Sequence, residues 1–193
     1  MDGQRYCGVH EGMPMTHTFS NGKCIYCPTD EWKHLPPLKD TRPSRTETYL
    51  ALAEVFSLRG TCPRALVGCV IVNDEHVIAH GYNGAPRGLP HCTQLDGRWA
   101  CVNGPLEQGC NNAVHAEANA IAYAAKVGVT CQDAELYCTH EPCLRCAQLI
   151  IQAGIRKVTY MKPYRLHDGV LLLQDAGVAH LWHFIDLEIQ FGA

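Results

Sequence analysis

His115-Ala116-Glu117 and Pro142-Cys143-Leu144-Arg145-Cys146 are the two stretches that decide the fold and the chemistry of this chain. One histidine and two cysteines are typical zinc ligands, and three of them leave the fourth position of a tetrahedral ion open to water. Glu117 is not needed as a ligand and is placed to move the protons of that water. The pattern predicts a hydrolytic zinc site, and the alternative is a purely structural zinc or a chance pair of cysteines.

Both stretches stand at the start of a predicted helix. Residues 114–127 are rich in alanine and end at Gly128, and residues 143–153 form a second helical pattern that ends at Gly154. The positive end of a helix dipole favours a thiolate over a thiol. The helix starts therefore suit the deprotonated sulfurs that a metal requires.

The remaining pattern predicts an α/β fold. Ser44 and Glu47 form a capping box at the start of a helix whose apolar stripe stops at Gly60. Residues 66–73 and 77–82 form an antiparallel hairpin joined by the polar turn Asn73-Asp74-Glu75. Further strands are predicted at 134–139, 157–161 and 179–184, and a further helix at 166–176. Strands that alternate with helices indicate a three-layer α/β/α mixed sheet, with the zinc site where strand ends meet helix starts.

Length, net charge and composition limit the classes of protein to which the chain can belong. A chain of 193 residues suits one α/β domain with a small appendage, and a formal net charge of −3 argues against binding nucleic acid by bulk electrostatics. There is no long apolar run, and the first residues lack the apolar core of a signal peptide. We therefore expect no membrane segment and a cytoplasmic protein, in the host cytoplasm if it is viral, whose 12 cysteines are reduced.

Residues 1–40 differ from the rest and carry two pairs of Cys or His spaced like zinc ligands. A segment this poor in apolar residues cannot fold by burial alone, so a tetrahedral zinc would stabilise it. The alternative is a disordered tail with incidental cysteines. We expect a knuckle-like segment over 1–40 and the main domain over 41–193. The candidate ligands are Cys7, His10, Cys24 and Cys27.

From Thr46 to Phe184 the chain resembles the cytidine deaminase superfamily and, within it, the deoxycytidylate (dCMP) deaminases. Besides the zinc signature, the resemblance is carried by residues 62–72, 81–86, 139–143 and 151–158. It implies a cytidine-deaminase-like fold and a zinc-dependent hydrolase that converts dCMP to dUMP and ammonia, feeding dTMP synthesis. In that chemistry an activated water attacks C4 of cytosine, and a glutamate moves the protons.

The resemblance also assigns roles to particular residues. His115, Cys143 and Cys146 would hold the catalytic zinc, and Glu117 would take a proton from water, protonate ring N3 and deliver a proton to the leaving amine. Asn83 looks like the family residue that hydrogen-bonds the deoxyribose hydroxyl, although Asn before Gly also suits a plain turn. Two further residues are expected to contact the substrate, namely Ala116 and Tyr164.

Many dCMP deaminases are homo-oligomers, often hexamers, activated by dCTP and inhibited by dTTP near the glycine-rich loop. The resemblance implies the same effectors here, with Mg²⁺ accompanying the triphosphate. Any of the basic residues is equally well explained as a solvated cation. The candidates for effector or phosphate binding are Gly81, Tyr82, Gly84, Arg64 and Lys126, and further candidate cations are Arg87, Lys162 and Arg165.

A polar insert over residues 91–112 separates the glycine-rich loop from the ligand helix, and loops this long are usually functional or tied down. Similar dCMP deaminases carry a second, structural zinc in this loop. The alternative is a set of free thiols. The matching candidate ligands here are Cys62, Cys92, Cys101 and Cys110, with His91 as a substitute.

Two other functions stay open. One is deamination of a related base, a modified dCMP or cytosine in a polynucleotide, and the acidic balance argues against the polymer. The other is a non-catalytic, zinc-stabilised nucleic-acid-binding protein, against which the intact Glu117 argues. Cys69 and Cys138 fit no site and are predicted to be small buried residues of the strands.

Overall fold

A computed structural model of the chain describes residues 42–92 and 113–185, together with the backbone of two short strands nearer the amino terminus. The chain forms two compact units, Met1–Arg42 and Pro43–Ala193. In the first unit, strands β1 (Phe19–Ser20) and β2 (Lys23–Cys24) pair in antiparallel fashion.

The predicted zinc knuckle lies largely outside this description. Cys7, His10 and Cys27 are not among the described residues, and only the backbone of Cys24 is described, in β2. The knuckle therefore stays a prediction.

The second unit is a five-stranded mixed sheet with helices on both faces. The strands run in the order β4-β3-β5-β6-β7, with β3 antiparallel to both of its neighbours and β5, β6 and β7 parallel. Within the described ranges, no helix combines the length and apolar character that crossing a bilayer requires. The elements are α1 (Arg45–Ser57), β3 (Gly68–Asn73), β4 (His76–Tyr82), α2 (Ala116–Val127), β5 (Glu135–His140), α3 (Leu144–Gln152), β6 (Lys157–Lys162), α4 (Asp168–Asp175) and β7 (Ala179–Trp182).

The mixed α/β/α architecture predicted from the sequence is confirmed, and the predicted strands and the helices from α2 onward differ in extent by two residues or fewer at each end. The start of β3 is one such difference. Leu66, predicted as its first residue, lies exposed in the preceding loop. The strand was predicted from apolar character, which continues to Leu66, whereas strand pairing begins only at Gly68.

Helix α1 begins as predicted. The Ser44 hydroxyl accepts from the backbone N–H of Glu47 at 3.2 Å, and the Ser44 N–H donates to the Glu47 carboxylate at 2.6 Å. This capping box satisfies backbone donors that the first turn would otherwise leave unpaired. Near the other end of α1, a Cβ on Gly68 would lie 1.9 Å from the carbonyl oxygen of Ala53, so only glycine allows β3 to start this close to the helix.

The hairpin of β3 and β4 turns at Asp74 and Glu75, which have φ of 45° and 67°. Two successive left-handed residues match the twist of the flanking strands, as in a type I′ turn. The predicted polar turn is confirmed, and it directs β4 back along β3 toward the end of the sheet where the predicted ligands lie.

Two apolar cores flank the sheet. Helix α1 covers one face, where Leu50 packs with Val70, Tyr137 and Met161. Helices α2, α3 and α4 cover the other face with small side chains from α2 and larger ones from α3 and α4. That second core includes Ala116, Ala120, Ala124, Ala147, Ile150 and Leu173 against Ile71, Leu136, Cys138 and Val158. The alanines let α2 lie close to the sheet, so its first turn is positioned by the backbone beneath it.

Candidate active site

The three predicted zinc donors meet at one end of the sheet. The ligand atoms of His115, Cys143 and Cys146 all lie within 4.8 Å of one another, and His115 Nδ1 is 3.4 Å from each sulfur. A tetrahedral zinc with usual Zn–N and Zn–S bonds would place nitrogen and sulfur about 3.6 Å apart. The donor set and its spacing therefore fit zinc with one position left for water.

Helix starts position these donors. His115 is the N-cap of α2 and Cys143 is the N-cap of α3, both with extended backbone, and neither side chain makes a capping hydrogen bond. Cys146 lies in the first turn of α3 and is buried. The two N-cap side chains and Cys146 thus bring their donor atoms together at one point.

The two thiols share a proton. A hydrogen bond from Cys146 lowers the pKa of Cys143 to about 4, and the same contact together with burial raises the pKa of Cys146. A metal that binds both sulfurs displaces the shared proton. The contact between the two sulfurs therefore favours deprotonation of Cys143, the form that a metal ligand requires.

Glu117 lies in the first turn of α2, two residues beyond His115, and only 3% of it is exposed. Burial raises the pKa of its carboxyl group, although hydrogen bonds to its backbone N–H and to Cys146 oppose the shift. A carboxyl group whose pKa is raised by burial holds an accepted proton more readily and can then return it to a substrate. The arrangement suits a proton shuttle beside the open metal position.

Asn83 follows β4 directly and is buried. Its Oδ1 accepts from the N–H of Val67 at 3.0 Å, and its Nδ2 donates to the carbonyl of Ala65 at 2.8 Å. An amide side chain has two N–H groups and two acceptor lone pairs, so these bonds use half of its capacity. Asn83 thus organises the loop before β3, and its contact with a sugar hydroxyl stays a prediction.

The segment after β4 is also bonded to the start of α2. Gly84 and Val114 exchange two backbone hydrogen bonds, of 3.1 and 2.8 Å. Asn119 Nδ2 donates to the carbonyl of Tyr82 at 2.7 Å. Sequence reasoning missed Asn119, although its position one helical turn after His115 places both residues on one side of α2. Tyr82 and Gly84 were predicted to bind an effector. Their backbones also stabilise the structure, because they hydrogen-bond to the start of α2.

The other predicted substrate and phosphate residues are dispersed. Ala116 is fully buried under the site, Tyr164 is half-buried, and Arg64 is half-buried in the loop before β3. Lys126 lies in the last turn of α2, about 16 Å along the helix from His115. The structure does not bring Lys126 to the zinc donors.

The candidate ligands of the structural zinc are described only in part. Cys62 and Cys92 are buried, whereas Cys101 and Cys110 lie outside the described residues. His91 Nδ1 is 3.0 Å from the Thr61 hydroxyl. Among residues 42–92 and 113–185, the one group of three or more donors close enough to hold a metal is the His-Cys-Cys set.

Comparison with known proteins adds independent evidence. A family model described as the cytidine and deoxycytidylate deaminase zinc-binding region matches residues 43–162. ComE operon protein 2 of Bacillus subtilis is 41% identical over 138 residues, which are 71% of this chain and 70% of that protein. The deoxycytidylate deaminase of Saccharomyces cerevisiae is 38% identical over 152 residues, which are 77% of this chain and 47% of the yeast enzyme. The chain thus spans about half the length of that relative.

A solved structure agrees with the fold. The crystal structure of the dCMP deaminase from cyanophage S-TIM5 in complex with dCMP and dUMP matches with a TM-score of 0.62 and 36% identity, over 72% of this chain and 96% of that chain. The region matched by the family model contains all three zinc donors and Glu117. The chain belongs to the cytidine and deoxycytidylate deaminase zinc-binding family.

Proposed function

We propose that this protein catalyses the hydrolytic deamination of dCMP to dUMP and ammonia. The observation that carries the proposal is the buried carboxyl group of Glu117 beside three donors that leave one metal position open. The similar cyanophage enzyme was crystallised with dCMP and dUMP, and the similar yeast protein is a deoxycytidylate deaminase, which supports this substrate.

Glu117 moves the protons in this reaction. When bound, zinc supplies the Lewis-acid chemistry that makes a water molecule nucleophilic at neutral pH. Glu117 accepts a proton from that water, donates one to ring N3 so that C4 becomes electrophilic, and passes another to the leaving amine. Its burial, which raises its pKa, favours retention of the proton between these transfers.

Asn83 and the segment around Tyr164 would hold the nucleotide. Asn83 lies next to residues that bond to the start of α2, which supports its contact with the deoxyribose hydroxyl. The guanidinium of Arg165 lies 5.6 Å from the ring centre of Tyr164. Arg165 and the exposed Arg87, in the loop after Gly84, are our candidates for the phosphate.

A structural zinc would tie the insert over residues 91–112 to the loop before β3. The burial of both Cys62 and Cys92 supports this, with Cys101 and Cys110, or His91, as further ligands. Elemental analysis of the reduced protein is expected to give about three zinc ions per chain if the N-terminal set is also filled. A single zinc per chain would exclude both structural sites.

We further propose that the enzyme assembles into a homo-hexamer. We also propose that dCTP and dTTP, with Mg²⁺, regulate it. Half-exposed apolar side chains on the outer sides of α2 and α3, among them Tyr123 and Leu149, support a subunit contact. Sedimentation would give the oligomer, and rates against dCMP with each triphosphate would give the regulation. A monomer with hyperbolic kinetics that neither triphosphate alters would exclude this part alone.

An ammonia-release assay tests the reaction itself. We expect the highest kcat/KM with dCMP, when dCMP, a 5-modified dCMP, dCTP, deoxycytidine and single-stranded DNA are compared. The three donors and Glu117 would act on any cytosine substrate. Differences in kcat/KM among these compounds therefore show which of them the rest of the site recognises. A preference for DNA or for the free nucleoside would overturn the proposal of a mononucleotide enzyme.

A further inference from the structure

The loop that carries the zinc donor Cys143 is bonded to the segment that leads into α4. Glu141, two residues earlier, has a fully buried side chain whose oxygens lie 2.9 and 3.1 Å from His167 Nδ1. One of them also accepts from the N–H of Tyr164 at 3.1 Å. The Glu141 N–H donates to the carbonyl of Lys162 at 2.8 Å. Backbone and side chain of Glu141 thus both bind one segment.

Helix α4 touches the same loop through its backbone. Gly169 is buried in the first turn of α4, and a Cβ there would lie 2.0 Å from the carbonyl oxygen of Pro142 and 2.9 Å from the carbonyl carbon of Cys143. Neither atom belongs to a flexible side chain. The residue at 169 must therefore be glycine if Cys143 is to keep its position.

We propose that residues 164–169, which we call the α4 brace, are a positioning element for the zinc donors Cys143 and Cys146. The inference rests on the proposed function, because it takes zinc to be the ligand of these sulfurs. Cys143 lies at the junction of this loop and α3, so its sulfur reaches His115 and Cys146 only while the loop backbone keeps its position. The brace holds that backbone through Glu141 and Pro142, and it sets how slowly zinc leaves.

His167 contributes to the brace although its own side chain is largely exposed, at 65%. Its partner Glu141 is fully buried, and a buried carboxylate requires hydrogen-bond donors. Without the imidazole, the hydrogen bonds to the carboxylate described above reduce to the one from the N–H of Tyr164. The loop would then shift toward water and carry Cys143 with it.

Two glycines, one in the first turn of α4 and one just beyond its end, provide the test. Gly169→Ala pushes against the zinc loop, whereas Gly177→Ala introduces strain at φ 73° just beyond the other end of the helix, where no atom lies within 4 Å of the new Cβ. Both variants should unfold at lower temperature. Zinc transfer to an excess of a chromogenic chelator should be about ten- to a hundredfold faster in Gly169→Ala and nearly unchanged in Gly177→Ala.

A second pair covers the case in which Gly169→Ala does not fold. His167→Ala should release zinc faster, and His167→Asn should restore slow release because its amide nitrogen can replace Nδ1. Equal release from wild type and from His167→Ala would overturn the brace while leaving the proposed function intact. A purified wild-type protein that binds no zinc would overturn the proposed function, and the brace with it.

Discussion

The start of α2 and the start of α3 bring donors to the same metal position but are held by different means. The α2 start is fixed by hydrogen bonds to the backbone at and just after the end of β4. These are the bridge between Gly84 and Val114 and the bond from the Asn119 side chain to the Tyr82 carbonyl. The α3 start is fixed by a buried carboxylate, Glu141, and by the close approach of α4.

This difference assigns the two halves different tasks. The α2 half carries His115 and Glu117 and is bonded to the segment that contains Asn83, so it links the proton shuttle to the proposed contact with the deoxyribose. The α3 half carries both sulfurs and is bonded to α4. Apart from His115 itself, damage to the α2 half should therefore appear in turnover, and damage to the α3 half in metal retention.

The largest effect should come from the shuttle itself. Glu117→Gln keeps the size of the side chain and all three donors but removes the group that transfers protons, so kcat should fall by about a hundred- to ten-thousandfold or more. Zinc content, measured by elemental analysis, should stay at the wild-type value. In contrast, His115→Ala and Cys143→Ala should lose the metal. Nearly normal turnover in zinc-loaded Glu117→Gln would refute the proposed mechanism.

A smaller effect is expected where α2 approaches β4. In Gly81→Ala the new Cβ would lie 2.2 Å from the Ala116 carbonyl oxygen, so the helix must move and unfolding should need about 1–3 kcal/mol less free energy. Turnover should fall as well, because Glu117 moves with the helix.

Gly128→Ala is the control for that variant. It adds a Cβ to open space at φ 75° beyond the far end of α2 and should cost about 1–2 kcal/mol from left-handed strain alone. Denaturant unfolding and kcat together separate the two variants. If Gly128→Ala reduced kcat as much as Gly81→Ala did, lost stability and not displacement of α2 would explain the result.

A third effect concerns the bond that joins α2 to the glycine-rich segment. Asn119→Ala removes the donor to the Tyr82 carbonyl. A hydrogen bond of this kind contributes about 0.5–1.5 kcal/mol. If all of that free energy is lost from the transition state, kcat/KM for dCMP should fall by roughly two- to twelvefold. Asn119→Asp, which keeps the shape but places a carboxylate oxygen against the Tyr82 carbonyl, should lose at least as much as the alanine variant. Zinc release should stay slow in both. Faster release would show that the two halves are not held independently.

The smallest effect should come from the other face of the sheet. Ser44→Ala removes the side-chain cap of α1 and should lower the free energy of unfolding by about 1 kcal/mol. Since α1 packs against the face opposite α2 and α3, both kcat and zinc release should remain at wild-type values. A change in either would mean that stability alone alters the site.

Local spacing explains why so much of the site was predictable. His115 and Glu117 are two residues apart, Cys143 and Cys146 three apart, and each pair opens a helix whose end is marked by glycine. The capping box at Ser44 and the polar turn at Asp74 are equally local signals. Spacing of this kind is visible in a sequence because the chemistry itself requires it.

Contacts between distant segments were not predictable. Gly169 packs against the backbone of Pro142, and the His167 side chain contacts Glu141, which lies 26 residues earlier in the chain. A glycine in the first turn of a helix gives no local sign of what it touches, and an exposed histidine resembles any surface residue. Glu141 stood inside a motif that the sequence singled out, but its partners depend on how α4 returns to the sheet.

Cys69 and Cys138 lie directly opposite each other in β3 and β5, are fully buried as predicted, and have thiol pKa values raised mainly by burial. Alkylating reagents attack thiolates that solvent reaches, so these two sulfurs should react only when the central strands separate. Their labelling rate in the zinc-loaded enzyme would therefore time the opening of the sheet, as hydrogen exchange does for buried amides. The labelling of Cys69 and Cys138 would thus report global opening of the sheet, separately from local motion at the metal site.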